Sequence, residues 1–453
     1  MADLNPITTE TDTNITATLS ATVALAIHRT GVEKRPDCRP ANLIAMNLDK
    51  SMDSRIFGLK VRFMRFKTLL WLFLISSYSL GIQSQRIQTG AEQTHAYFPK
   101  LKNKRVGVIA NQTSVVGQLH LVDTLRNAGI NVVLAFGPEH GFRGNAGAGE
   151  HIQNEKDPQT GIPIVSLYGK NKKPSQDQLN ELDILIFDIQ DVGTRFYTYI
   201  STMSLAMEAA AEKGLEFMIL DRPNPNGNYI DGPILEPSCS SFVGMHPVPI
   251  VHGMTVGEYA KMINEEGWMS GKVKTNLTVI ACKNYTHSDA YSLPIPPSPN
   301  LPNMASIYLY PSLCLFEGTE VSVGRGTDKP FQRVGFPGLK GQVEFKPISI
   351  PNAAPNPPHK NKICGGYDLD AFSESYIRHY RGLYLLWLED LYQRYPKKEA
   401  FFNSFFDKLA GTASLRKDIV AGKNVDDIRA SWQPGLEAFK KIRKKYLLYP
   451  DFE

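Results

Sequence analysis

Short apolar runs without polar alternation recur along the first half of the chain, and they predict buried strands. We predict strands over residues 106–110, 131–136, 163–167, 183–187 and 216–220. A strand that is covered on both faces shows a continuous apolar run, whereas a strand with one exposed face alternates apolar and polar residues. The runs therefore indicate a parallel sheet with packed layers on both sides.

Stretches with helical spacing separate these strands. Residues 119–128 keep apolar positions at helical intervals, and the alanine-rich stretch 199–213 predicts a longer helix. A third helix is predicted over 255–266, where Thr255 and Glu258 have the spacing of a capping box. Strands that alternate with helices are typical of βαβ units, so we predict a Rossmann-like α/β fold.

The character of the chain changes near residue 304, where aromatic residues and loops become more frequent. Further helices are predicted near the end, over 384–392 and 425–442. A chain of 453 residues is too long for one ordinary hydrophobic core. We therefore predict a Rossmann-like catalytic domain over 100–303 and a smaller α+β auxiliary domain over 304–453 that closes a cleft.

The front of the chain has the pattern of a secretory signal. A basic start at Met64 precedes an apolar run of 13 residues over 68–80, and small residues follow near Gly81. The run is shorter than the roughly 20 residues that a bilayer-spanning helix needs. We expect a signal peptide over 64–81, a non-native extension over 1–63, and a periplasmic or secreted bacterial protein without a stable membrane anchor.

Charge and cysteine content narrow the function classes. Removal of residues 1–81 takes away 10 Lys and Arg and 7 Asp and Glu, which reduces the formal charge from +5 to about +2. So small a net positive charge argues against nucleic-acid binding. One or two disulfides are compatible with export, while the absence of CxxC, GxGxxG and GxxxxGK[ST] spacings leads us to expect no metal and no cofactor.

Polar residues follow several of the predicted strands, at the edge where open α/β sheets place their ligands. The stretch 130–144, INVVLAFGPEHGFRG, runs from an apolar strand directly into a carboxylate, an imidazole and a guanidinium. The candidates along this edge are Asn111, Glu139, His140, Arg143, Asp188, Asp191, Arg195, Tyr197 and Asn224. If these polar residues had independent structural roles, they would not need to converge on one edge of the sheet. We therefore expect a functional site at this edge.

Two carboxylates around one crevice suit acid/base hydrolysis of a glycosidic bond, because one must donate a proton while the other remains ionised. We assign the acid to Glu139, whose pKa burial would raise. Asp188 or Asp191, ionised beside Arg195, would be its partner. A carboxyl separation of about 5–5.5 Å would indicate retention of configuration and about 6.5–9.5 Å inversion.

Three further candidates lie outside these strand ends. Glu317 and Arg325 stand in a glycine-rich stretch near the start of the second domain, where the guanidinium could pair with an anionic substrate group. His252 is a possible substrate ligand. A lone histidine beside a loop is more often structural, and the same holds for His140.

Six ordered motifs resemble the exo-β-N-acetylmuramidases. They are GPEHGFRG at 137–144, DIQDVGTRFYTY at 188–199, DRPNP at 221–225, HGMTVGEY at 252–259, PPSPNLP at 296–302 and LFEGTEVSVGRGTDKPF at 315–331. The resemblance runs from about residue 106 to the C-terminus. It implies a Rossmann-like domain, an auxiliary domain and an active site in the cleft between them.

The resemblance also implies a reaction, which is hydrolytic release of N-acetylmuramic acid from the non-reducing ends of peptidoglycan fragments, with Glu139 as the catalytic glutamate. The lactyl carboxylate of muramic acid would suit Arg143, Arg195 or Arg325, and Tyr197 could stack on the sugar. Two alternatives remain at this point: a non-catalytic peptidoglycan-binding protein, and a metal-dependent hydrolase of another anionic substrate.

Overall fold

A seven-stranded sheet forms the centre of the described part of the protein. This computed structural model describes residues 86–139, 141–144 and 155–453, so the predicted extension and signal peptide lie outside the described residues. The strands are β1 (Val106–Ala110), β2 (Val115–Val116), β3 (Leu119–His120), β4 (Val132–Gly137), β5 (Glu155–Lys156), β6 (Pro163–Ser166), β7 (Ile184–Asp188), β8 (Glu216–Leu220), β9 (Asn276–Ile280), β10 (Arg333–Phe336), β11 (Val343–Phe345) and β12 (Cys364–Asp368).

The order of the large sheet is β5-β6-β4-β1-β7-β8-β9. All neighbouring strands are parallel except β5, which pairs antiparallel with β6 at one edge. Without β5, this is the doubly wound order 3-2-1-4-5-6, in which ligands bind beyond the carboxyl ends where the strand order reverses. The predicted Rossmann-like α/β class is confirmed, and the reversal lies at β1, between β4 and β7.

Helices cover both faces of the sheet and build most of the C-terminal half. They are α1 (Thr94–Leu101), α2 (Leu121–Asn127), α3 (Gln176–Leu179), α4 (Tyr199–Lys213), α5 (Val256–Glu265), α6 (Met304–Leu313), α7 (Asp370–Phe372), α8 (Arg378–Tyr380), α9 (Leu386–Arg394), α10 (Phe406–Ala410), α11 (Ser414–Val420) and α12 (Val425–Arg443). A single π-helical turn, Ser373–Ile377, joins α7 to α8. Within the described ranges, no helix is long and apolar enough to cross a membrane.

Alternate residues of each central strand enter two different cores, which explains the continuous apolar runs. In β7, Ile184 and Ile186 pack with α1 and α2, whereas Leu185 and Phe187 pack on the opposite face with α4 and α5. All five residues of β7 are buried. The second of these cores continues into α6, α9 and α12, so it joins the sheet to the C-terminal half.

Most predicted elements are found within two residues of their expected bounds. Strands β1 and β8 and helix α4 have the predicted limits, and Thr255 caps α5 through the predicted capping box with Glu258. The expected helix over 119–128 is wrong at its start, since a β2–β3 hairpin turns at Gly117 before α2 begins. Strand β9 was not predicted, because four of its five residues are at least partly exposed.

The C-terminal half contains a three-stranded antiparallel sheet, in the order β10-β12-β11, surrounded by helices. The chain then returns to the large sheet. Residues 446–453, here termed the C-terminal strap, carry the Tyr449 hydroxyl, which donates to Asp221 Oδ2 at 2.6 Å, and the Leu448 amide, which donates to Glu258 Oε1 at 2.7 Å. The end of the sequence is therefore bonded to groups just beyond β8 and within α5.

The described cysteines form no disulfide, although the sequence was compatible with one or two. Cys239, Cys282, Cys314 and Cys364 are all unpaired and buried. A buried thiol behaves as a small apolar side chain that packs without a partner.

Candidate active site

One cavity of about 170 Å³ opens at the carboxyl ends of β4 and β7, beside the reversal of strand order. Residues from both halves of the chain line it. They are Glu139, Phe196, Tyr197, Thr198, Tyr199, Val243, Ser298, Asn300, Leu301, Tyr310, Cys314, Glu317, Arg325, Phe331, Phe405 and Leu409. Four of the residues predicted from the sequence, Glu139, Tyr197, Glu317 and Arg325, are thus brought together.

Glu139 lies two residues beyond the end of β4, in the turn that follows the strand. Its side chain is half-buried and accepts hydrogen bonds from the hydroxyls of Thr198 (3.4 Å) and Tyr168. Burial raises the pKa of Glu139 above its ordinary value of 4.5, although the charge of Arg325 and the two hydroxyls act in the opposite direction. A carboxyl group with a raised pKa retains its proton at higher pH, as a general acid requires.

Glu317 and Arg325 form an ion pair on the cavity wall. Arg325 Nε donates to Glu317 Oε1 at 2.7 Å, and the two side chains are each about one quarter exposed. The Arg325 guanidinium also lies 5.0 Å from the ring centre of Phe331, in a cation–π arrangement. The hydrogen bond to Glu317 uses Nε, so the terminal nitrogens of Arg325 take no part in this bond.

The loop that carries Ser298 and Asn300 forms a further wall of the cavity. The hydroxyls of Tyr197 and Tyr199 donate to the carbonyl of Pro297, at 3.0 and 3.3 Å. Their rings also pack edge to face, with centroids 4.9 Å apart. Tyr197 is therefore a buried support for this wall, and its side chain is 91% removed from solvent, which leaves little ring face for stacking on a sugar.

Neither aspartate expected to partner Glu139 lines the cavity. Asp188 is fully buried and binds the Arg222 guanidinium through both oxygens, at 2.6 and 2.9 Å. Asp191 is also buried and accepts the Gly193 amide at 2.6 Å, and burial raises its pKa to about 7. The predicted pairing of these aspartates with Arg195 is wrong, because Arg222 provides the charge that Asp188 requires.

Two of the three arginines expected to bind a substrate carboxylate are occupied elsewhere. Arg143 binds Asp123 and Asp157, each through two hydrogen bonds of 2.7 to 3.1 Å. Arg195 is fully buried, and it donates to four main-chain carbonyls, of Pro233, Val248, Leu409 and Ala410. The prediction that Arg143 and Arg195 lie at the substrate is therefore corrected. Among the described residues, Arg325 is the guanidinium found at the cavity.

The other candidate residues are hydrogen-bonded to main-chain groups. Asn111 Oδ1 accepts the amide of Thr113 at 2.9 Å and ends β1 in a turn, while Asn224 Nδ2 donates to the carbonyl of Met254 at 2.9 Å. His252 is buried, with Nδ1 accepting the Met254 amide at 3.2 Å, and burial lowers its pKa to about 3. These three residues do not line the cavity. His140 lies outside the described residues.

Sequence reasoning missed several residues that surround Glu139. Tyr168 follows the end of β6 by two residues, so the strand-end pattern that indicated Glu139 would also have indicated it. Thr198 immediately precedes α4 and lies in the motif that was recognised. No comparable signal marks Phe405 and Leu409, which reach the cavity from α10 and the turn before it.

Within the described ranges, no group of three or more His, Cys, Asp or Glu side chains is arranged to hold a metal ion. The cavity wall carries a carboxyl group with a raised pKa together with an ion-paired carboxylate and a guanidinium. Such a set can protonate a leaving oxygen, offset developing positive charge and bind an anion.

Comparisons with known proteins agree with this geometry. Residues 106–305 and 308–449 match the sequence profiles of "Exo-beta-N-acetylmuramidase NamZ", N-terminal and C-terminal. The chain is 43% identical over 385 residues to the peptidoglycan beta-N-acetylmuramidase NamZ of Bacillus subtilis (strain 168), which covers 80% of this chain and 92% of that protein.

Two solved structures from Bacteroides fragilis NCTC 9343 are also similar, both described as DUF1343 family proteins. The first has a TM-score of 0.76 at 51% identity and covers 81% of this chain and all of that one. The second has a TM-score of 0.68 at 31% identity, with coverage of 80% and 99%.

Proposed function

The chain belongs to the exo-β-N-acetylmuramidase family, and on that basis we propose that it is a glycosidase that releases N-acetylmuramic acid from non-reducing ends of peptidoglycan fragments. The observation that carries this proposal at the site is the position of Glu139, at the carboxyl end of a central strand and on the wall of the cavity. A buried, hydroxyl-bonded carboxyl group has the properties of the acid that protonates a glycosidic oxygen.

The size of the cavity supports cleavage at a chain end. An engineered protein cavity of about 150 Å³ holds one benzene molecule, so a cavity of about 170 Å³ is of the size of a single six-membered ring. A space of this size can receive the ring of one terminal sugar. The next sugar, which is the leaving group, would then lie at the mouth near Glu139.

Arg325 supports muramic acid as the terminal sugar. This sugar differs from N-acetylglucosamine by a lactyl ether that ends in a carboxylate, and a guanidinium binds a carboxylate through two parallel hydrogen bonds. The hydrogen bond of Arg325 to Glu317 uses Nε and does not involve the terminal nitrogens. We assign recognition of the lactyl group to this side chain.

The test uses the purified protein with a chromogenic aryl muramide and with the disaccharide of N-acetylmuramic acid and N-acetylglucosamine. We expect free N-acetylmuramic acid from both, and a loss of about 10²- to 10⁴-fold in kcat on the disaccharide for Glu139→Gln. Glu265→Gln, which removes a surface carboxylate paired with Lys274, is the control. Absence of muramic acid release by the unaltered protein would refute the proposed function.

The same assay tests the sugar preference. Arg325→Gln should lower kcat/KM about 10- to 100-fold on the aryl muramide, which corresponds to the loss of one charge-assisted hydrogen bond. The decrease in kcat/KM on the matching aryl N-acetylglucosaminide should be much smaller. Equal losses on the two substrates would show that Arg325 does not recognise the lactyl group.

We also propose export to the periplasm or the medium, which is where peptidoglycan is found. The support is the basic start at Met64 and the apolar run over 68–80. N-terminal sequencing of the mature protein from its native host should give a first residue near Gly81. A mature chain that still begins upstream of residue 64 would contradict this.

A further inference from the structure

The second carboxylate on the cavity wall is Glu317. Among the residues that the structure describes, Glu139 and Glu317 are the carboxylates on the cavity wall. Asp188 and Asp191 cannot take this place, since one is bound to Arg222 through both oxygens and the other is buried against the Gly193 amide. From the sequence we predicted Glu317 as a substrate-binding residue and Asp188 or Asp191 as the second catalytic carboxylate.

The surroundings of Glu317 stabilise a negative charge. Oε1 accepts from the positively charged Arg325 Nε at 2.7 Å, and Oε2 accepts from the thiol of Cys314 at 3.5 Å. Burial raises the pKa of that thiol well above its ordinary value of 9.0, so the sulfur remains a donor. Each oxygen of Glu317 thus has a donor in contact, one of them cationic, whereas the donors to Glu139 among the described residues are hydroxyls.

The backbone holds Glu317 in a fixed place. It lies in the 3₁₀ turn Cys314–Gly318 that directly follows α6, and Gly318 packs against the backbone of Phe406, where a side chain would collide. The turn is therefore anchored on one side by α6 and on the other by α10. A carboxylate on such a support can remain at one position relative to a bound sugar.

We propose that Glu317 is the ionised catalytic partner of Glu139 and faces the anomeric carbon of the terminal sugar. This inference rests on the proposed function and names the second catalytic group of that site. Pairs of carboxyl groups in unlike surroundings take the separate roles of acid and ionised group in glycosidases.

The reaction balances as follows. The bond between C1 and the leaving oxygen breaks, and its electron pair stays on that oxygen, which receives the proton of Glu139. The Glu317 carboxylate offsets the positive charge that develops at C1. Water then adds to C1 as hydroxide, and its remaining proton returns to the carboxylate pair, which ends with the one proton that it had at the start.

Glu317→Gln is the principal test, because the amide is nearly the same size and can still accept from Arg325 Nε. Glu320→Gln is the matched control, since it changes the same residue type three positions away and outside the cavity. The substrates are the disaccharide and a dinitrophenyl muramide, whose leaving group needs no protonation. Circular dichroism and the unfolding midpoint check that each variant folds.

We expect Glu317→Gln to lower kcat at least 100-fold on both substrates with KM changed less than about fivefold. Glu139→Gln should instead lose far less on the dinitrophenyl muramide than on the disaccharide, because only the disaccharide requires an acid. In Glu317→Gln the descending limb of the pH profile on the disaccharide should move to lower pH, since loss of the Glu317 charge lowers the pKa of Glu139.

The opposite pattern would overturn the inference. If Glu317→Gln keeps kcat within tenfold and raises KM, Glu317 acts only as a positioning residue for Arg325. If the unaltered protein hydrolyses neither substrate, the proposed function fails instead, so the two failures are distinguishable.

Discussion

At the scale of single residues, the chemistry of the site depends on opposing effects on Glu139. Burial and the charge of Glu317 raise its pKa, while Arg325, Tyr168 and Thr198 lower it. The net direction is upward, so the group remains protonated over a wider pH range than an exposed glutamate. Substitution of any of these neighbours should therefore change the pKa of Glu139 and with it the pH range in which the enzyme is active.

Tyr168→Phe should extend activity to higher pH. The Tyr168 hydroxyl stabilises the ionised form of Glu139, so its removal raises the pKa of Glu139 further. A general acid works only when protonated, and the descending limb of kcat/KM should therefore move upward by up to about one pH unit. The measurement is a pH profile on the disaccharide.

Tyr367→Phe is the control for this shift. It removes a similar bond, from a tyrosine hydroxyl to Asp390 Oδ2 at 3.0 Å, away from the cavity. If the descending limb of the pH profile stays in place in Tyr168→Phe, or moves to lower pH, then Glu139 is not the acid whose pKa sets that limb.

At the scale of elements, the sequence was sufficient to locate the edge of the sheet but not the side chains that act there. The apolar runs identified five of the six parallel strands, and polar residues do follow β1, β4, β7 and β8. Glu139 could be predicted because its strand end, its turn and its motif all indicate the same position. Glu317 and Arg325 were recognised as site residues without a firm role.

The remaining side chains could not be assigned, because their partners are distant in sequence. Asp188 is bound to Arg222, and Arg195 to the carbonyls of Leu409 and Ala410, more than 200 residues away. No local pattern distinguishes a strand-end aspartate that faces a cavity from one that faces a buried cation. The polar convergence at the sheet edge was real, but most of it stabilises the fold.

Tyr449→Phe tests this structural role at β8. The Tyr449 hydroxyl donates to Asp221 Oδ2 and accepts the Cys282 amide at 2.8 Å, so its loss leaves two buried groups with a missing partner. We expect a loss of about 1–3 kcal/mol in the free energy of unfolding, measured with urea, and an unchanged kcat.

Tyr446→Phe is the comparison, since its hydroxyl bonds to the partly exposed Glu266 and should matter less. If Tyr449→Phe is no less stable than Tyr446→Phe, then the strap is not an energetically important part of the fold.

At the scale of the whole molecule, one core joins the sheet to the C-terminal helices. The same cluster contains Phe187 from β7, Tyr259 from α5 and Trp432 from α12. The cavity likewise takes Glu139 from one half and Glu317 with Arg325 from the other. Catalysis therefore requires both halves to be folded together.

We expect a single cooperative unfolding transition for residues 86–453. Trp268 reports on the N-terminal half, and Trp387 and Trp432 report on the other. In Trp387→Phe/Trp432→Phe, the urea midpoint from Trp268 fluorescence should coincide with the midpoint for loss of hydrolysis. Trp268→Phe, with the other two retained, should give the same midpoint, and separate midpoints would show that the halves unfold independently.

The C-terminal strap has a consequence for biosynthesis. Asp221 and Glu258 are buried with bonds to Tyr449 and Leu448, which follow them in the sequence by 228 and 190 residues. A nascent chain can pair the strands around β8 long before the C-terminal strap has been synthesised, so these two carboxylates gain these partners late in synthesis.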